Sequence, residues 1–254
     1  MTMFMRLLQV KVKPETSGDL PRIYNEKIIP ALQQTIGCLY ASLIQSVDHP
    51  DESISMTLWD TPDHAEAYEQ GGLFQRLLHE AEPYLAETSE WKIQLSQDFT
   101  LEYKPVREEP VVKSYNVAAT AGDRRLLIEQ ESRMYVRIVS AQLKPGNKEE
   151  FGRLYASEIL TALRNVRGCR YAFLTEGIEE RNEVLSVTIW SSKQDAEAYE
   201  ASGLFDQLQK KVQHAYSELY QWKMAVERQS GRRVATSDEM IVQGYNVVTG
   251  RSFP

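Results

Sequence analysis

The sequence predicts an α+β fold in which two ferredoxin-like βαββαβ repeats form an intrachain pseudo-dimeric α+β barrel. One observation is a motif, AEAYE followed two residues later by GLF, which occurs at residues 65–74 and again at 196–205. Another is that the same offset of 131 residues aligns most of the two halves without a gap. A self-similarity of this length indicates a duplicated domain. Within each half, the hydrophobic pattern changes between the period of a strand and that of a helix.

The first strand and helix of the repeat come from residues 3–35. Residues 3–13 alternate with the period of a strand, and Pro14 ends this strand. Apolar residues have helical spacing over 17–35, and Gly37 ends that helix. Because Pro30 falls late in this run, we expect it to kink or fray the last turn.

The rest of the repeat is predicted to contain three strands and a broken helix. Residues 38–47 and 53–59 are two strands, and Asp60-Thr61-Pro62 then begins a helix with a capping side chain. The Gly71-Gly72 pair divides this helix from a second segment at 73–86. A fourth strand is predicted at 91–101, and the second copy is expected to repeat this order over 134–228.

Both copies end in a related tail, VVKSYNV at 111–117 and IVQGYNV at 241–247. We predict that each tail is a fifth strand reached through a polar linker, at 102–110 and 229–239. The domains are then 1–118 and 133–254, joined by a linker at 119–132 in which 124–131 form a short helix. An exposed fifth strand also predicts a homodimer formed through these C-terminal strands.

The third strand of each repeat has one apolar face, which needs a cover. Packing the two such faces together would let one chain supply what is often a homodimer. The residues of these faces are Ile54, Met56 and Leu58 in the first copy and Leu185, Val187 and Ile189 in the second.

Composition excludes several classes of function. A net charge of −7 argues against a nucleic-acid groove, which needs a clustered basic face. No run of 18 apolar residues exists and the N-terminus has no signal-peptide pattern, so neither a membrane span nor secretion is predicted. Cys38 and Cys169 occupy equivalent positions without a disulfide framework, which predicts a cytoplasmic location. The four histidines have no metal-ligand spacing, so no metal site is expected.

Polar and aromatic residues retained in both copies are the candidates for substrate binding. A tryptophan that ends the third strand could stack on a planar ligand or simply fill space under the helices. An arginine among apolar neighbours on the first strand must pair with a carboxylate, here Glu66 or Glu197, meet an anionic or phenolate ligand, or reach solvent. Serine and threonine hydroxyls could bind substrate or cap helix ends, and a tyrosine could donate a proton or only pack. The candidates are Arg6, Arg137, Ser55, Ser186, Thr57, Thr188, Trp59, Trp190, Tyr68, Tyr199, Phe74 and Phe205.

Several of these segments resemble the dimeric α+β barrel superfamily, specifically antibiotic-biosynthesis monooxygenase domains. They are Lys144-Pro145-Gly146, the pairs Gly37-Cys38 and Gly168-Cys169, the two tryptophans and the AEAYE–GLF helix. The resemblance covers 3–101 and 134–228. It implies a pocket between the sheet and the helices of each repeat. It also implies one of three activities: cofactor-free oxidation of aromatic polyketides or quinols, haem degradation, or none that is known.

At the positions where the haem-degrading members of this family have functional residues, this chain has other residue types. The first-strand asparagine of such enzymes falls on Leu8 and Val139, and their histidine falls on Leu78 and Gln209. We therefore expect no cofactor and a monooxygenase-like protein that oxidises a small aromatic or quinol-type substrate with O₂. The alternative is a non-catalytic protein of the same fold that binds small molecules or serves in assembly.

Overall fold

The computed structural model describes residues 3–86, 89–95, 101–107, 111–122, 134–177, 182–230 and 240–253. The first repeat contains β1 (Phe4–Lys11), α1 (Asp19–Ile23), α2 (Ile29–Gln33), β2 (Cys38–Ser46), β3 (Glu52–Trp59), α3 (Pro62–Gln70), α4 (Leu73–Ala81), β4 (Ser89–Leu95), β5 (Leu101–Arg107) and β6 (Val111–Gly122). The second contains β7 (Tyr135–Gln142), α5 (Lys148–Leu154), α6 (Leu160–Leu163), β8 (Cys169–Gly177), β9 (Glu183–Trp190), α7 (Lys193–Ala201), α8 (Leu204–Val212), α9 (Glu218–Ser230) and β10 (Ile241–Ser252).

The main sheet is a closed antiparallel barrel with the strand order β1-β3-β2-β10-β7-β9-β8-β6. Each repeat supplies four neighbouring strands, β6-β1-β3-β2 or β10-β7-β9-β8, which is the arrangement of a ferredoxin-like sheet. The two sheets join edge to edge, where β10 pairs with β2 and β6 pairs with β8. The predicted fold class is therefore confirmed.

The strands β6 and β10, which contain the two tails, differ from the prediction in place and in partner. They are the fourth strands of their sheets rather than fifth strands. β6 pairs with β1 of its own repeat and β8 of the other, and β10 pairs with β7 and β2 in the same way. Each of these strands has partners on both sides within the chain. The prediction that they extend a sheet across a homodimer is therefore wrong.

The strand predicted at 91–101 is also outside the barrel. β4 pairs with β5 in a separate two-stranded sheet, and β5 lies in residues predicted as a linker. In the second repeat the equivalent segment is the helix α9. The sheet position beside β1 and β7 is already occupied by β6 and β10, so neither segment can join the barrel. β6 also extends through Gly122 into the predicted linker, and the short helix expected at 124–131 lies outside the described residues.

The barrel interior is filled by apolar side chains from both repeats. The predicted inward faces of β3 and β9 are confirmed, since Met56 and Val187 are fully buried in one hydrophobic cluster. Met5, Ile44 and Phe173 fill the same space. Because this interior is packed, the cavities of each repeat lie on the outer side of the sheet, under the helices.

The first helix of each repeat contains a π-helical turn, at Tyr24–Ile28 and at Tyr155–Ile159. Pro30 follows the first of these turns, but the second is followed by Thr161. The proline is therefore not the cause of the π-turn, and α2 continues past it to Gln33. Such turns are frequent at functional sites, and each of these begins at a tyrosine that faces the cavities described below.

The second helical region follows the prediction. The hydroxyl of Thr61 accepts a hydrogen bond from the His64 backbone N–H and caps α3, as Ser192 caps α7. Gly72 adopts φ +74° between α3 and α4, and Gly203 adopts φ +73° between α7 and α8. This left-handed conformation suits glycine and turns the chain so that α4 and α8 cover the sheet. No helix in the described part of the chain is long and apolar enough to cross a membrane.

Candidate functional site

Each repeat encloses one cavity between the outer face of its sheet and its helices. We name the two by their repeat. The polar side chains that line the N-terminal cavity are Arg6, Tyr24, Ser55, Thr57 and Tyr68, and their counterparts in the C-terminal cavity are Arg137, Tyr155, Ser186, Thr188 and Tyr199. The remaining wall of the N-terminal cavity is apolar and includes Phe74, and that of the C-terminal cavity includes Phe205 together with Gln209 and Tyr216.

The cavities are small. The space open to the centre of a water molecule is about 60 Å³ in the N-terminal cavity and about 50 Å³ in the C-terminal one. An engineered protein cavity that holds benzene measures about 150 Å³. As they stand, the cavities have room for a few water molecules, and a ring-sized ligand requires wall side chains to move.

Arg6 is a buried cation at the edge of the N-terminal cavity. Its side chain is 6% exposed, and Nη2 donates to Glu69 Oε2 at 3.0 Å. Nε is buried and has no hydrogen-bond partner among the described residues. The guanidinium carbon lies 4.8 Å from the centre of the Phe74 ring and 5.5 Å from that of Tyr68. Burial lowers the pKa of Arg6, and the nearby negative charge of Glu69 opposes this shift.

Arg137 has an arrangement similar to that of Arg6, but a different nitrogen of its guanidinium lacks a partner. Its Nε donates to Glu200 Oε1 at 2.5 Å, and its guanidinium carbon lies 4.1 Å from the centre of the Phe205 ring. Nη2 is buried and makes no hydrogen bond within the described chain. The predicted pairing with Glu66 or Glu197 is wrong. The partners come three residues later because Tyr68 and Tyr199 face the sheet, which brings the adjacent glutamates Glu69 and Glu200 to the arginines.

Tyr24 and Tyr155 are functional candidates that the sequence reasoning did not select. The hydroxyl of Tyr24 lies 2.9 Å from Ser55 Oγ, and that of Tyr155 lies 2.5 Å from Ser186 Oγ. Burial raises the pKa of both phenols, so both stay protonated. The sequence signal that could have identified them is that both repeats have a tyrosine at this position.

Trp59 and Trp190 lie behind the cavity walls. Both are fully buried, and each indole N–H donates to a threonine on the same strand, Thr57 Oγ1 at 3.0 Å or Thr188 Oγ1 at 2.8 Å. Each indole packs against the tyrosine of the following helix with ring centres 5.1 Å apart. The tryptophans therefore support Tyr68 and Tyr199 from behind, and neither lines a cavity.

Tyr68 and Tyr199 connect the tryptophans with the arginines. The ring of Tyr68 lies between Trp59 and Phe74, and its centre is 5.8 Å from that of Phe74. Tyr199 has the same position, 6.1 Å from Phe205. Burial raises the pKa of Tyr68 and raises that of Tyr199 to about 12. At neutral pH both hydroxyls can donate a hydrogen bond or a proton but cannot act as bases.

The cysteines and two of the histidines, His64 and His79, do not line the cavities. Burial raises the pKa of Cys38 and of Cys169 to about 12, which leaves both thiols neutral and unreactive. His64 bonds Asp60 at 2.7 Å and His79 bonds Glu82 at 2.8 Å, both on the outside of their helices. Over the described ranges, no cluster of histidine, cysteine and acidic residues could hold a metal ion.

A comparison with protein families matches the antibiotic biosynthesis monooxygenase model to residues 3–80 and again to 134–211. The chain belongs to this family and contains its domain twice. No curated protein matches the sequence.

Solved structures similar to this one show the same fold at low sequence identity. The "putative monooxygenase" of Fusobacterium nucleatum has a TM-score of 0.70 and 9% identity, over 99% of this chain and 94% of that one. The protein of the same description from Lactobacillus acidophilus has a TM-score of 0.68 and 8% identity, over 99% and 97%. An anthrone oxidase-like protein has a TM-score of 0.55 and 18% identity, over 99% and 93%.

Proposed function

We propose that the protein oxidises a small aromatic or quinol-type substrate with O₂ and without a cofactor. The observation that supports this most strongly is a buried guanidinium with an unused N–H, placed beside an aromatic-walled cavity in both repeats. A buried donor without a partner is costly, so it favours a ligand that supplies an acceptor. A phenolate or enolate is such a ligand, since it combines a flat apolar body with a negative oxygen.

The proposed role of Arg6 or Arg137 is to stabilise the ionised form of the substrate. An electron-rich carbanion or phenolate can itself transfer electrons to O₂, so the protein need not supply a redox group. For a substrate whose CH₂ group becomes a carbonyl, one oxygen atom enters the product and the other leaves as water with the two hydrogens. Tyr68 or Tyr199 is positioned to donate a proton to the oxygen that leaves.

The remaining candidates have supporting parts in this proposal. Phe74 and Phe205 provide ring surface for the substrate, while Ser55 and Ser186 hold the phenols of Tyr24 and Tyr155. Trp59 with Thr57, and Trp190 with Thr188, are positioning residues that fix the tyrosines. A cytoplasmic location is part of the proposal, since both cysteines are free thiols.

The cavity volumes favour a second candidate function. At about 60 Å³ and 50 Å³, neither cavity holds a bicyclic ring without rearrangement. A non-catalytic member of the family, which binds a small molecule or serves in assembly, would have this property. The two candidates are separated by whether oxygen is consumed.

Oxygen uptake with dihydroxybenzenes, dihydroxynaphthalenes and anthrone tests the proposal. Anthrone is included because a structurally similar protein is described as anthrone oxidase-like. We expect uptake by the wild type and at least tenfold slower uptake by the double variant Arg6→Met, Arg137→Met, which removes both stabilising cations. Arg22→Met is the control, because Arg22 is half exposed and pairs with Asp19 on the surface.

Two further results would count against the proposal. If no compound of the panel is consumed by the wild type, the non-catalytic candidate is favoured. If the double variant Trp59→Phe, Trp190→Phe turns over normally, the positioning role of the tryptophans is wrong, because the phenylalanines lack the indole N–H that bonds the threonines.

A further inference from the structure

The two cavities differ at two matching wall positions. Leu78 and Leu85 line the N-terminal cavity, and the residues in their places in the C-terminal cavity are Gln209 and Tyr216. Met240 is an additional wall residue of the C-terminal cavity. The repeat has therefore kept the arginines and changed two apolar wall positions to polar ones.

The backbone separates Tyr216 from the arginine. Tyr216 forms an isolated bridge with Leu143, just beyond the end of β7, and Leu85 forms the same bridge with Val12 beyond β1. Arg137 lies six residues before Leu143 along the chain, and the side chains of Arg137 and Tyr216 both reach the wall of the C-terminal cavity. A ligand in this cavity therefore has the Arg137 guanidinium and the Tyr216 side chain at different parts of its wall.

Tyr216 provides a buried hydrogen-bond donor there. The residue is 4% exposed and lines the C-terminal cavity. The ring is fixed by Phe151 at 6.1 Å and Tyr220 at 5.3 Å between centres. Burial, and then the neighbouring phenols of Tyr220, Tyr155 and Tyr199, raise the pKa of Tyr216, which keeps the hydroxyl protonated.

Gln209 provides a second polar group, on α8 about one helical turn after Phe205. Its Nε2 donates to Met240 Sδ at 3.1 Å, and a thioether is a weak acceptor. A hydroxyl or carbonyl oxygen of a ligand would be a stronger acceptor for this N–H. The leucines at the equivalent positions of the N-terminal cavity can offer a ligand only apolar contact.

We propose that the two cavities have different ligand specificities, an inference that rests on the proposed function. The C-terminal cavity takes an aromatic ligand with a polar group at each end, one beside Arg137 and the other beside Gln209 and Tyr216. The N-terminal cavity takes an aromatic ligand with one polar group, beside Arg6, and an apolar opposite end. A site with buried polar groups rejects an analogue that leaves them without a partner.

Two single-ring probes of nearly equal shape test this inference in the full chain. 4-Hydroxybenzyl alcohol and 4-ethylphenol share the phenol and differ by a hydroxyl in place of a methyl group. Binding is followed by carbon-13 methyl NMR. The Met240 methyl, assigned with Met240→Leu, reports on the C-terminal cavity, and the Leu78 methyls, assigned with Leu78→Ile, report on the N-terminal cavity.

We expect the Met240 signal to titrate with about tenfold lower Kd for the alcohol than for 4-ethylphenol, which corresponds to about one hydrogen bond. The Leu78 signals should show the reverse preference. Tyr216→Phe, which keeps the ring, should abolish the preference at Met240 and leave that at Leu78 unchanged. Leu85→Tyr should move the preference at Leu78 towards the alcohol.

The inference is overturned if both reporters show the same preference, if Tyr216→Phe leaves the preference at Met240 intact, or if neither probe binds. Because the titrations measure binding and not oxygen uptake, their outcomes can be interpreted even if the protein does not oxidise the test substrates. In turn, an equal preference of the two cavities for the two probes would contradict this inference but would not affect a positive oxygen-uptake result.

Discussion

Arg6 and Arg137 are buried, and each guanidinium is held by contacts on different sides. A half-exposed glutamate neutralises one edge of each guanidinium, and the face of a phenylalanine covers the plane. Such cation–π contacts are worth about 0.5–2 kcal/mol, more as the pair is desolvated. A buried nitrogen of each, Arg6 Nε and Arg137 Nη2, has no hydrogen-bond partner among the described residues. The side chain is thus held in place by groups that leave a donor for a third partner, which is the property expected of a preorganised anion site.

The buried thiols and phenols predict a loss of stability in alkali. The folded-state pKa of Cys38 and Cys169 is about 12 against the ordinary 9.0, and that of Tyr199 is about 12 against 10.0. Because these values are raised, the folded protein holds protons that the unfolded chain releases, so the stabilisation is complete below pH 9 and falls as the pH rises towards 12. The free energy of unfolding, measured with urea, should be lower at pH 10.5 than at pH 8.

A cysteine-free variant separates the thiols from other alkaline effects. Cys38→Ala with Cys169→Ala should show a smaller decrease between these two pH values. An equal or higher free energy of unfolding at pH 10.5 in the wild type would contradict the prediction. In the folded wild type, iodoacetamide should modify both thiols far more slowly than in urea, because the reactive thiolate is scarce.

Two turns set the position of the helices over each sheet, and both use glycine with positive φ. Gly203 joins α7 to α8 in open space, whereas Gly168 precedes β8 under the first turn of α7. A Cβ atom added at Gly168 would lie 2.4 Å from the Cβ of Asp195, and one added at Gly203 would meet nothing within 4 Å. A side chain at Gly168 is therefore opposed by the left-handed backbone and by lack of space, and one at Gly203 by the backbone alone.

Alanine substitutions at these turns should follow that difference. Gly203→Ala should cost about 1–2 kcal/mol from the left-handed backbone. Gly168→Ala should cost more, since Asp195 or the helix must also move. Gly152→Ala, inside α5 with open space around it, is the control and should stabilise by about 0.5–1 kcal/mol. Urea unfolding measures all three, and a cost at Gly203 equal to that at Gly168 would refute the steric argument.

The same dipeptide in the two repeats shows where the sequence could not predict an element. Trp91-Lys92 lies in β4, and Trp222-Lys223 lies in α9. β1, β2, β3 and the helices between them were predictable because their hydrophobic period is set by contact with the packed sheet. The segment after α4 or α8 has no position in the barrel, so no such period constrains it. For the same reason, the tails were recognised as strands but placed fifth instead of fourth.

Candidate site residues were predictable to the extent that they repeat. The arginines, serines, threonines and the Tyr68 and Tyr199 phenols do lie together around the cavities. The glutamate partners were misplaced by one helical turn. Tyr24 and Tyr155 were assigned to the apolar face of their helices but were not selected as site candidates, although they match across the repeat. Gln209 and Tyr216 differ between the copies, so a search for retained residues passes over them.

At the scale of the whole molecule, the barrel is two half-barrels that complete each other. Without the second repeat, β2 loses β10, β6 loses β8, and the apolar interior that contains Met56 is open. A second copy of residues 1–122 could replace what is lost, since β6 of one copy can pair with β2 of the other. The duplicated chain has the further property that its two cavities can differ, which a homodimer of one sequence cannot achieve.

Residues 1–122 expressed alone should therefore form a homodimer, and light scattering after size-exclusion chromatography would measure its mass. The apolar interior provides the driving force, so Met56→Asp in this fragment should prevent dimerisation by placing a charge there. A folded, monomeric fragment with a cooperative urea transition would contradict the expectation.

The pairing of Ile44 with Val247 has a consequence for how the protein is made. During synthesis, β2 leaves the ribosome long before β10 exists, so one edge of the first sheet and its apolar face have no native partner for most of that time. Contacts this distant in sequence slow folding, and exposed edges of this kind favour aggregation. The nascent chain should therefore be most prone to aggregation before β10 has been made.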